Sequence, residues 1–388
     1  MIVGSGEIED VGAVEACAQA IKAHLAPIGA KAVAPAVLQP AGLYLELVGE
    51  VLRRRAVLTH NDALCLRPDM TVPAARLALS LPLWHGEGFA LAYDGRVFRR
   101  QEHAAQPIEP RQIGLEWYAP KTHSAARDAG VLSAALGACE AVGARASLVL
   151  GCAALARALV LACNLPEAMS RLLTRSHDVR ATIQATIAGE EAQREEPQSA
   201  LGAALALASP EGAQALLEDV LALAGVAQIS GRSLQEVAAR LREKAMRASD
   251  PRVDRCLLEH LAAVFAIEAA PPDAFKALRQ AVAGLPAPQP VFDRLDDLER
   301  LWTQVAQSNP AMRDAVFRAA FDRNLEYYDG LAFDLIGKSG AVLGGGGRYD
   351  QVLTALTRAQ DPPGQSADGW GAAGFSLYPA VLAAEHGQ

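Results

Sequence analysis

The segment RQIGLEWYA, residues 111–119, indicates the fold class. Its side chains alternate, which places Gln112 and Glu116 on one face and Ile113 and Leu115 on the other, with the two-residue period of a β-strand. A strand with one apolar and one polar face covers a core on one side only, which is typical of antiparallel sheets. We therefore predict a sheet whose polar face is available for a binding site.

Two further segments predict more strands joined by short turns. FALAYDGRVFRR, residues 89–100, has Asp94-Gly95 between two short apolar runs, which indicates a compact hairpin turn or a bulge. YYDGLAFDLIGKSGAVLGGGGRYD, residues 327–350, predicts two strands around a turn at 337–340. Because short turns join antiparallel neighbours, we predict an α+β protein with an antiparallel sheet flanked by helices.

Helical patterns account for much of the remaining chain. Residues from about 10 to 28 have apolar positions at spacings of three and four, and Gly29 ends this predicted helix. Residues 166–285 have helical patterns throughout. We predict that this segment is a helical insertion, and that residues 1–165 and 286–388 together form a discontinuous core.

Charge and hydropathy argue against several function classes. The formal net charge is −8, whereas nucleic-acid-binding proteins normally carry a basic excess that contacts phosphates. The first ten residues lack a basic start followed by an apolar run, so no signal peptide is expected. No apolar stretch approaches the roughly 18–20 residues that a membrane span requires. We expect a cytoplasmic protein that binds neither nucleic acid nor membrane.

The six cysteines are scattered, without a C-x-x-C pair or a histidine at metal-ligand spacing: Cys17, Cys65, Cys139, Cys152, Cys163 and Cys256. In a cytoplasmic protein of this size, such cysteines are expected to be small buried apolar side chains. We therefore predict no metal site.

The polar face of residues 111–119 is a candidate binding surface. Gln112 and Glu116 are expected about 13–14 Å apart along the strand, with Gly114 between them leaving space for a ligand. A carboxylate suits an ammonium or imidazolium group, whereas glutamine and arginine suit a carboxylate. An amino acid with a basic side chain would fit such a surface. The alternative is a half-solvated strand that binds nothing.

Six motifs occur in chain order: LRPDMT, FRR, RQIGLE, RNLEYYDG, GGGRYD and AAGFSL. Together they resemble histidyl-tRNA synthetase and its close paralogues over roughly residues 10–160 and 310–380. The resemblance implies a class II synthetase-like antiparallel sheet of six or seven strands flanked by helices. It also implies dimerisation through the segment AVAPAVLQPAGLYLEL, residues 32–47.

The departures from the synthetase pattern affect the nucleotide site. Motif 3 of the synthetases carries an arginine that binds ATP, whereas no arginine follows Phe375 here, and Tyr378 and Pro379 stand in that region. Gln101 replaces the motif 2 glutamate that reads adenine. Only 13 residues follow Phe375, so the tRNA-reading C-terminal domain is expected to be absent. Because positioned cations carry phosphoryl-transfer chemistry, we expect adenylation and tRNA charging to be lost.

The residues that match the amino-acid pocket of the synthetases are retained. The resemblance implies that the histidine-binding residues are Asp69, Thr71, Gln112, Glu116, Arg323, Tyr327 and Tyr328, and that Arg99 lies at the pocket edge or in a vestigial nucleotide site. Asp69 and Thr71 are expected to hold the α-amino group. Arg323 and Gln112 are expected to bind the carboxylate. Glu116 and one tyrosine are expected to contact the imidazole.

A retained pocket beside a degraded nucleotide site resembles the regulatory subunits of ATP phosphoribosyltransferase. This implies a non-catalytic protein without cofactors, dimeric, and joined to a short-form catalytic subunit in a hetero-oligomer. It would support the first step of histidine biosynthesis and its feedback inhibition by L-histidine. Two alternatives stay open: a divergent histidine-adenylating enzyme or histidyl-tRNA synthetase, and a scaffold subunit that binds no ligand.

Overall fold

The computed structural model describes most of the chain, namely residues 10–42, 47, 55–60, 63–100, 108–176, 178–192, 200–223, 234, 237–239, 241–242, 254–309, 312, 314–321, 327–358 and 367–386. Its strands are β1 (Lys31–Val33), β2 (Leu38–Pro40), β3 (Val57–Leu58), β4 (Leu64–Leu66), β5 (Phe89–Arg96), β6 (Arg111–Pro120), β7 (Ser147–Cys152), β8 (Glu268–Ala269), β9 (Val316–Arg318), β10 (Leu331–Ile336), β11 (Val342–Arg348) and β12 (Trp370–Leu377).

The helices in the described part of the chain are α1 (Val11–Leu25), α2 (Thr71–Leu79), α3 (Ser124–Ala141), α4 (Ala153–Ala162), α5 (Glu167–Arg175), α6 (Val179–Ala192), α7 (Ala200–Leu207), α8 (Pro210–Leu223), α9 (Arg255–Phe265), α10 (Pro271–Val282), α11 (Gln289–Ser308), α12 (Asp350–Arg358) and α13 (Pro379–His386). None of these helices is both long and apolar enough to cross a membrane.

A nine-stranded sheet in the order β1-β5-β6-β12-β11-β10-β7-β9-β8 forms the centre of the molecule. The six strands from β5 to β7 in this order pair antiparallel, as the sequence predicts. The expected six or seven strands are exceeded because short strands extend both edges. Two of these edge pairings, β1 with β5 and β7 with β9, are parallel. Strands β2, β4 and β3 form a separate small antiparallel sheet.

The predicted hairpin turn or bulge at Asp94-Gly95 is wrong, because both residues lie inside β5 and pair with β6 in continuous register. The Asp94 carboxylate accepts hydrogen bonds from Arg111 Nε at 2.6 Å and Nη2 at 2.7 Å, and from Lys22 Nζ at 3.1 Å. These ion pairs with β6 and α1 hold the aspartate in the ladder, so its local preference for turns does not decide the backbone.

Two other predicted boundaries are confirmed. Helix α1 continues into one 3₁₀ turn and ends at Gly29, whose φ of 72° is the left-handed conformation that favours glycine. Strands β10 and β11 are joined by the predicted turn, in which the Gly337 N–H donates to Ala341 O at 2.8 Å. Gly340 in this turn has a φ of 84°.

The strand β6 separates two apolar clusters in the way that its alternation predicts. Ile113 and Leu115 belong to the large core that α1 and α3 cover. Tyr118 points to the other side and packs with Val72 of α2 and with Tyr349. One face of the sheet is therefore closed by helices, and the other contains the polar side chains of β6.

The described residues of the segment 166–285 include helices α5 to α10 and the short strand β8, which pairs with β9 at the sheet edge. Leu261 of α9 and Phe275 of α10 lie in the same buried cluster as the sheet residue Phe333. The rings of Phe275 and Phe317 meet edge to face, 5.0 Å apart. The division of the chain into a core and an insertion stays a prediction.

Five of the six cysteines are buried, as expected, and Cys256 is exposed, which the sequence prediction had wrong. Cys256 lies in the first turn of α9, where its position in the helix turns its side chain outward. Among the described residues, no group of three or more histidine, cysteine, aspartate or glutamate side chains could hold a metal ion.

Candidate functional site

Glu116 lies at the centre of the polar face of β6 and is fully buried. Its Oε1 accepts hydrogen bonds from Thr71 Oγ1 at 2.9 Å and from Tyr93 Oη at 3.1 Å. Its Oε2 accepts a hydrogen bond from Tyr349 Oη at 2.5 Å. The carboxyl group is thus enclosed by three hydroxyl groups that come from α2, β5 and the segment after β11.

The space above Gly114 is not open, so the predicted ligand space at this position is wrong. A Cβ atom at Gly114 would lie 2.7 Å from Tyr93 Oη and would collide with the Phe375 carbonyl oxygen. Tyr93 also donates to that carbonyl at 3.2 Å. Glycine is required here because the backbone of Phe375 leaves no room for a Cβ, and the Tyr93 side chain fills the place where the sequence predicted a ligand. On β12, a Cβ at Gly374 would collide with Glu116 Oε2.

Burial controls the ionisation of this group. Desolvation raises the pKa of Glu116 to about 8, while the hydrogen bonds from Tyr349, Thr71 and Tyr93 oppose that shift and the nearby Asp69 charge adds to it. Burial also raises the pKa of Tyr93 and Tyr349 well above the usual tyrosine value, and the Glu116 charge raises both further. The tyrosines therefore stay protonated donors, and the carboxyl group can gain or lose a proton near neutral pH.

A second group of polar atoms lies at the other end of the same face. Gln112 is buried, and its Nε2 donates to Tyr378 Oη at 3.3 Å. Arg99 Nε donates to Pro68 O at 2.6 Å, and its Nη1 lies 3.5 Å from Tyr378 Oη. Burial lowers the pKa of Arg99, but Tyr378 and Asp69 raise it by more, so the guanidinium stays charged. The buried Gln112 Oε1 has no hydrogen-bond partner among the described residues.

Asp69, Tyr327 and Tyr328 lie between these two ends. Asp69 is buried just before α2, and its Oδ1 accepts a long hydrogen bond from the Val72 N–H at 3.4 Å. The rings of Tyr327 and Tyr328 are 4.8 Å apart, and Tyr327 also contacts the ring of Tyr349 at 6.1 Å. Desolvation raises the pKa of Tyr327 well above the usual value, and Tyr328 and Asp69 add to this effect. The predicted residues on these elements therefore share one neighbourhood.

The structure brings together seven of the eight predicted residues: Asp69, Thr71, Arg99, Gln112, Glu116, Tyr327 and Tyr328. The eighth, Arg323, lies outside the described residues, as does Gln101 of the motif 2 comparison. Three tyrosines that the sequence reading did not assign to the site also contact it: Tyr93, Tyr349 and Tyr378. Tyr349 lies inside GGGGRYD, so that motif held a signal for it. Tyr93 is the direct cross-strand partner of Gly114.

Buried ion pairs fix the backbone on both sides of Tyr349. Arg348 Nε donates to Asp128 Oδ2 at 3.0 Å and lies 3.3 Å from Oδ1. Asp350 Oδ1 accepts from Arg127 Nη2 at 3.0 Å and from the Ala372 N–H at 2.8 Å. The side chains of Arg127 and Asp128 are each 1% exposed. The Tyr349 hydroxyl is therefore directed at Glu116 by a rigid support that joins α3, β11 and α12.

A polar cleft of about 510 Å³ lies between the start of α6, the end of α9 and strand β9. Its lining includes Asp178, Arg180, Glu268 and Arg318. Arg318 and Glu268 form an ion pair at 3.0 Å in which both side chains are about half exposed. Charges of both signs neutralise each other there, and none of the seven predicted residues that the structure describes lines this cleft.

Comparison with known proteins finds one family over nearly the whole chain. The sequence profile of the histidyl-tRNA synthetase family matches residues 7–259 and 234–382. The ATP phosphoribosyltransferase regulatory subunit of Brucella anthropi is 32% identical over 356 residues, which cover 88% of this chain and 89% of that protein.

Solved structures show the same fold at lower identity. An ATP phosphoribosyltransferase regulatory subunit/histidyl-tRNA synthetase from Bacillus halodurans superposes with a TM-score of 0.65 at 18% identity, covering 97% of this chain and 80% of that one. Histidyl-tRNA synthetase from Nostoc superposes with a TM-score of 0.60 at 14% identity, covering 99% of this chain and 75% of that one.

Proposed function

The chain belongs to the histidyl-tRNA synthetase family and, within it, to the ATP phosphoribosyltransferase regulatory subunits, and on that premise we propose that it is a histidine sensor. It joins a short-form catalytic subunit of ATP phosphoribosyltransferase as a homodimer within a hetero-oligomer. In that complex it is required for the first step of histidine biosynthesis, and it transmits feedback inhibition by L-histidine. It acts in the cytoplasm, without a cofactor and without catalytic activity of its own.

One observation carries this proposal: the polar face of β6 has a buried carboxyl group at one end, a guanidinium at the other end and a second carboxyl group between them. Glu116 supplies the carboxyl group at one end, Asp69 supplies the one between the two ends, and both are buried. Arg99 supplies a charged guanidinium at the other end, beside the amide of Gln112. A zwitterion with a basic side chain complements this arrangement, since ammonium and imidazole groups pair with carboxylates and a carboxylate pairs with a guanidinium.

Inhibition is expected to work through a shift of populations. A ligand moves an equilibrium between two quaternary states only by the difference between its affinities for them. The hydroxyl groups around Glu116 come from three separate elements, so a ligand that replaces any of these hydrogen bonds changes how α2 and the end of β11 are held. Such a change can favour one arrangement of the catalytic subunits over another.

Reconstitution with the short catalytic subunit tests the proposal. The two proteins are co-purified, and phosphoribosyl transfer to ATP is measured for the catalytic subunit alone, for the complex, and for the complex with L-histidine. We expect a stable complex, higher activity in it than in the catalytic subunit alone, and inhibition by L-histidine. A chain that neither binds the catalytic subunit nor changes its activity would contradict the proposal.

Two further assays separate the alternatives. Histidine-dependent exchange between ATP and pyrophosphate by the isolated chain would indicate an adenylating enzyme, and we expect none. Calorimetric titration with L-histidine, with and without the catalytic subunit, tests for a scaffold that binds no ligand. Absence of heat and of inhibition in both titrations would favour the scaffold.

A further inference from the structure

Tyr378 places a phenol group between two donors of the proposed binding site. Gln112 Nε2 donates to its hydroxyl oxygen at 3.3 Å, and Arg99 Nη1 lies 3.5 Å from the same atom. These two side chains are the donors at the cationic end of the polar face. In this arrangement, the phenol oxygen therefore takes the position that an anionic acceptor would use.

The backbone of Tyr378 is held firmly while its side chain is half-buried. Its N–H donates to Leu343 O at 2.8 Å, and its carbonyl accepts from the Leu382 N–H at 3.0 Å. The residue directly precedes α13, which begins at Pro379 and packs against α1. Rotation of the side chain can therefore release both donors without breaking the ladder or the helix start.

We propose that Tyr378 sets the affinity and selectivity of the site, because the carboxylate of an amino acid must displace its hydroxyl from Arg99 and Gln112 in order to bind. This inference rests on the proposed function, since it concerns the same site. An ionised carboxylate forms stronger hydrogen bonds with a guanidinium than a neutral phenol does, so the exchange favours the ligand. The apparent affinity for the ligand is nevertheless lower than it would be without Tyr378, because the hydrogen bonds of its hydroxyl must break first.

The chemistry of the ligand gives the inference a specific consequence. Arg99 Nε already donates a hydrogen bond to Pro68 O, so a ligand would accept hydrogen bonds from the Nη groups. A ligand that has a carboxylate competes with Tyr378 for Nη1 and for the Gln112 amide. A ligand of the same shape without a carboxylate leaves the phenol in place, and the tyrosine hydroxyl does not affect its binding.

Calorimetric titration of the full chain with L-histidine and with L-histidinol, which lacks the carboxylate, tests this. The two ligands are compared on the wild-type protein and on Tyr378→Phe, which keeps the ring and removes only the hydroxyl. We expect Tyr378→Phe to bind L-histidine about fivefold more tightly, the factor that corresponds to one neutral hydrogen bond. Its affinity for L-histidinol should match that of the wild type.

Other outcomes overturn the inference. Weaker or equal binding of L-histidine by Tyr378→Phe would make the hydroxyl a ligand contact or a bystander. Equal shifts for both ligands would show that the effect is not competition with the carboxylate. Tyr378→Leu, which also lacks the hydroxyl, must shift selectivity in the same direction, and thermal unfolding checks that both variants are folded. No binding of either ligand by any of the three proteins would contradict the proposed function together with this inference.

Discussion

Tyr349 Oη donates a hydrogen bond to Glu116 Oε2 at 2.5 Å, although 233 residues separate the two positions along the chain. Tyr349 follows β11, Glu116 lies in β6, and β12 lies between those strands. The bond joins the GGGGRYD and RQIGLEWYA motifs into one site. Because Arg348 and Asp350 are both held in buried ion pairs, the position of the tyrosine depends on charges that do not touch the site.

The buried carboxyl group of Glu116 should make stability depend on pH. Burial raises its pKa to about 8 from a usual value of 4.5, so the folded state binds the proton more tightly than the unfolded state. The protonated folded form is then favoured at low pH, and this contribution is lost as pH rises through the window from about 4.5 to 8. Between about pH 5.5 and 8 we expect a loss of roughly 2–3 kcal/mol.

Glu116→Gln isolates this effect, because the amide does not titrate. Urea unfolding of both proteins at several pH values gives the difference between their free energies of unfolding. Asp329, whose pKa burial raises to about 6, contributes equally to both and cancels. We expect the wild type to lose stability relative to Glu116→Gln as pH rises. A difference that is constant with pH would show that Glu116 keeps one ionisation state throughout.

Removal of Arg348 should destabilise the fold strongly. Asp128 is 1% exposed, and Arg348 supplies a charged pair to both of its oxygens. Arg348→Ala leaves that carboxylate buried without this partner, which typically costs about 3–5 kcal/mol. The matched control is Arg318→Ala, because Arg318 and Glu268 are 47% and 50% exposed and such pairs contribute less than about 1 kcal/mol. Urea unfolding compares the two, and equal losses would contradict a supporting role of the buried pair.

A methyl group at Gly374 should destabilise the fold. Its Cβ would collide with Glu116 Oε2 and would lie 2.6 Å from Leu115 O, an atom of the neighbouring strand that cannot move aside. We expect Gly374→Ala to lose about 2–3 kcal/mol, as overpacked cores do. Gly284→Ala serves as a control, because no atom lies within 4 Å of the added Cβ there. Its free energy of unfolding should change by less than about 0.5 kcal/mol.

The sequence alone predicts which face of β6 each residue occupies, because burial of one side of a strand leaves a local pattern of apolar and polar residues. It placed Ile113 and Leu115 in the core and Gln112 and Glu116 on the opposite face. The turn expected at Asp94 failed because an ion pair with Arg111, in the next strand, overrides the local preference.

The tyrosines around the site could not be found in the same way. Tyr93 reaches Glu116 across 23 positions of the chain, and Gln112 reaches Tyr378 across 266. Contacts of this kind depend on the order of strands in the sheet, which a local pattern does not contain. The ligand space expected over Gly114 failed for the same reason, since the Tyr93 ring fills it from the neighbouring strand.

Neutralising Asp69 should weaken ligand binding and also change the ionisation of Glu116. In the proposed site its carboxylate pairs with the ammonium group of the ligand, and hydrogen bonds to charged groups contribute about 1.5–3 kcal/mol. Asp69→Asn should therefore lower the affinity for L-histidine by about tenfold or more. The Asn oxygen can still accept the hydrogen bond from the Val72 N–H, so the start of α2 is preserved.

The second effect of Asp69→Asn follows from the charge repulsion between Asp69 and Glu116. The Asp69 charge raises the pKa of Glu116, so removal of that charge should lower this pKa. The pH range in which the protein loses stability as the pH rises should then end at a lower pH. Asp94→Asn is the matched control, since Asp94 pairs with Arg111 and Lys22 and does not contact Glu116. Calorimetry measures the affinity, and urea unfolding measures the pH dependence. Equal changes in the two variants would show that loss of a carboxylate charge in general, rather than the position of Asp69, is responsible.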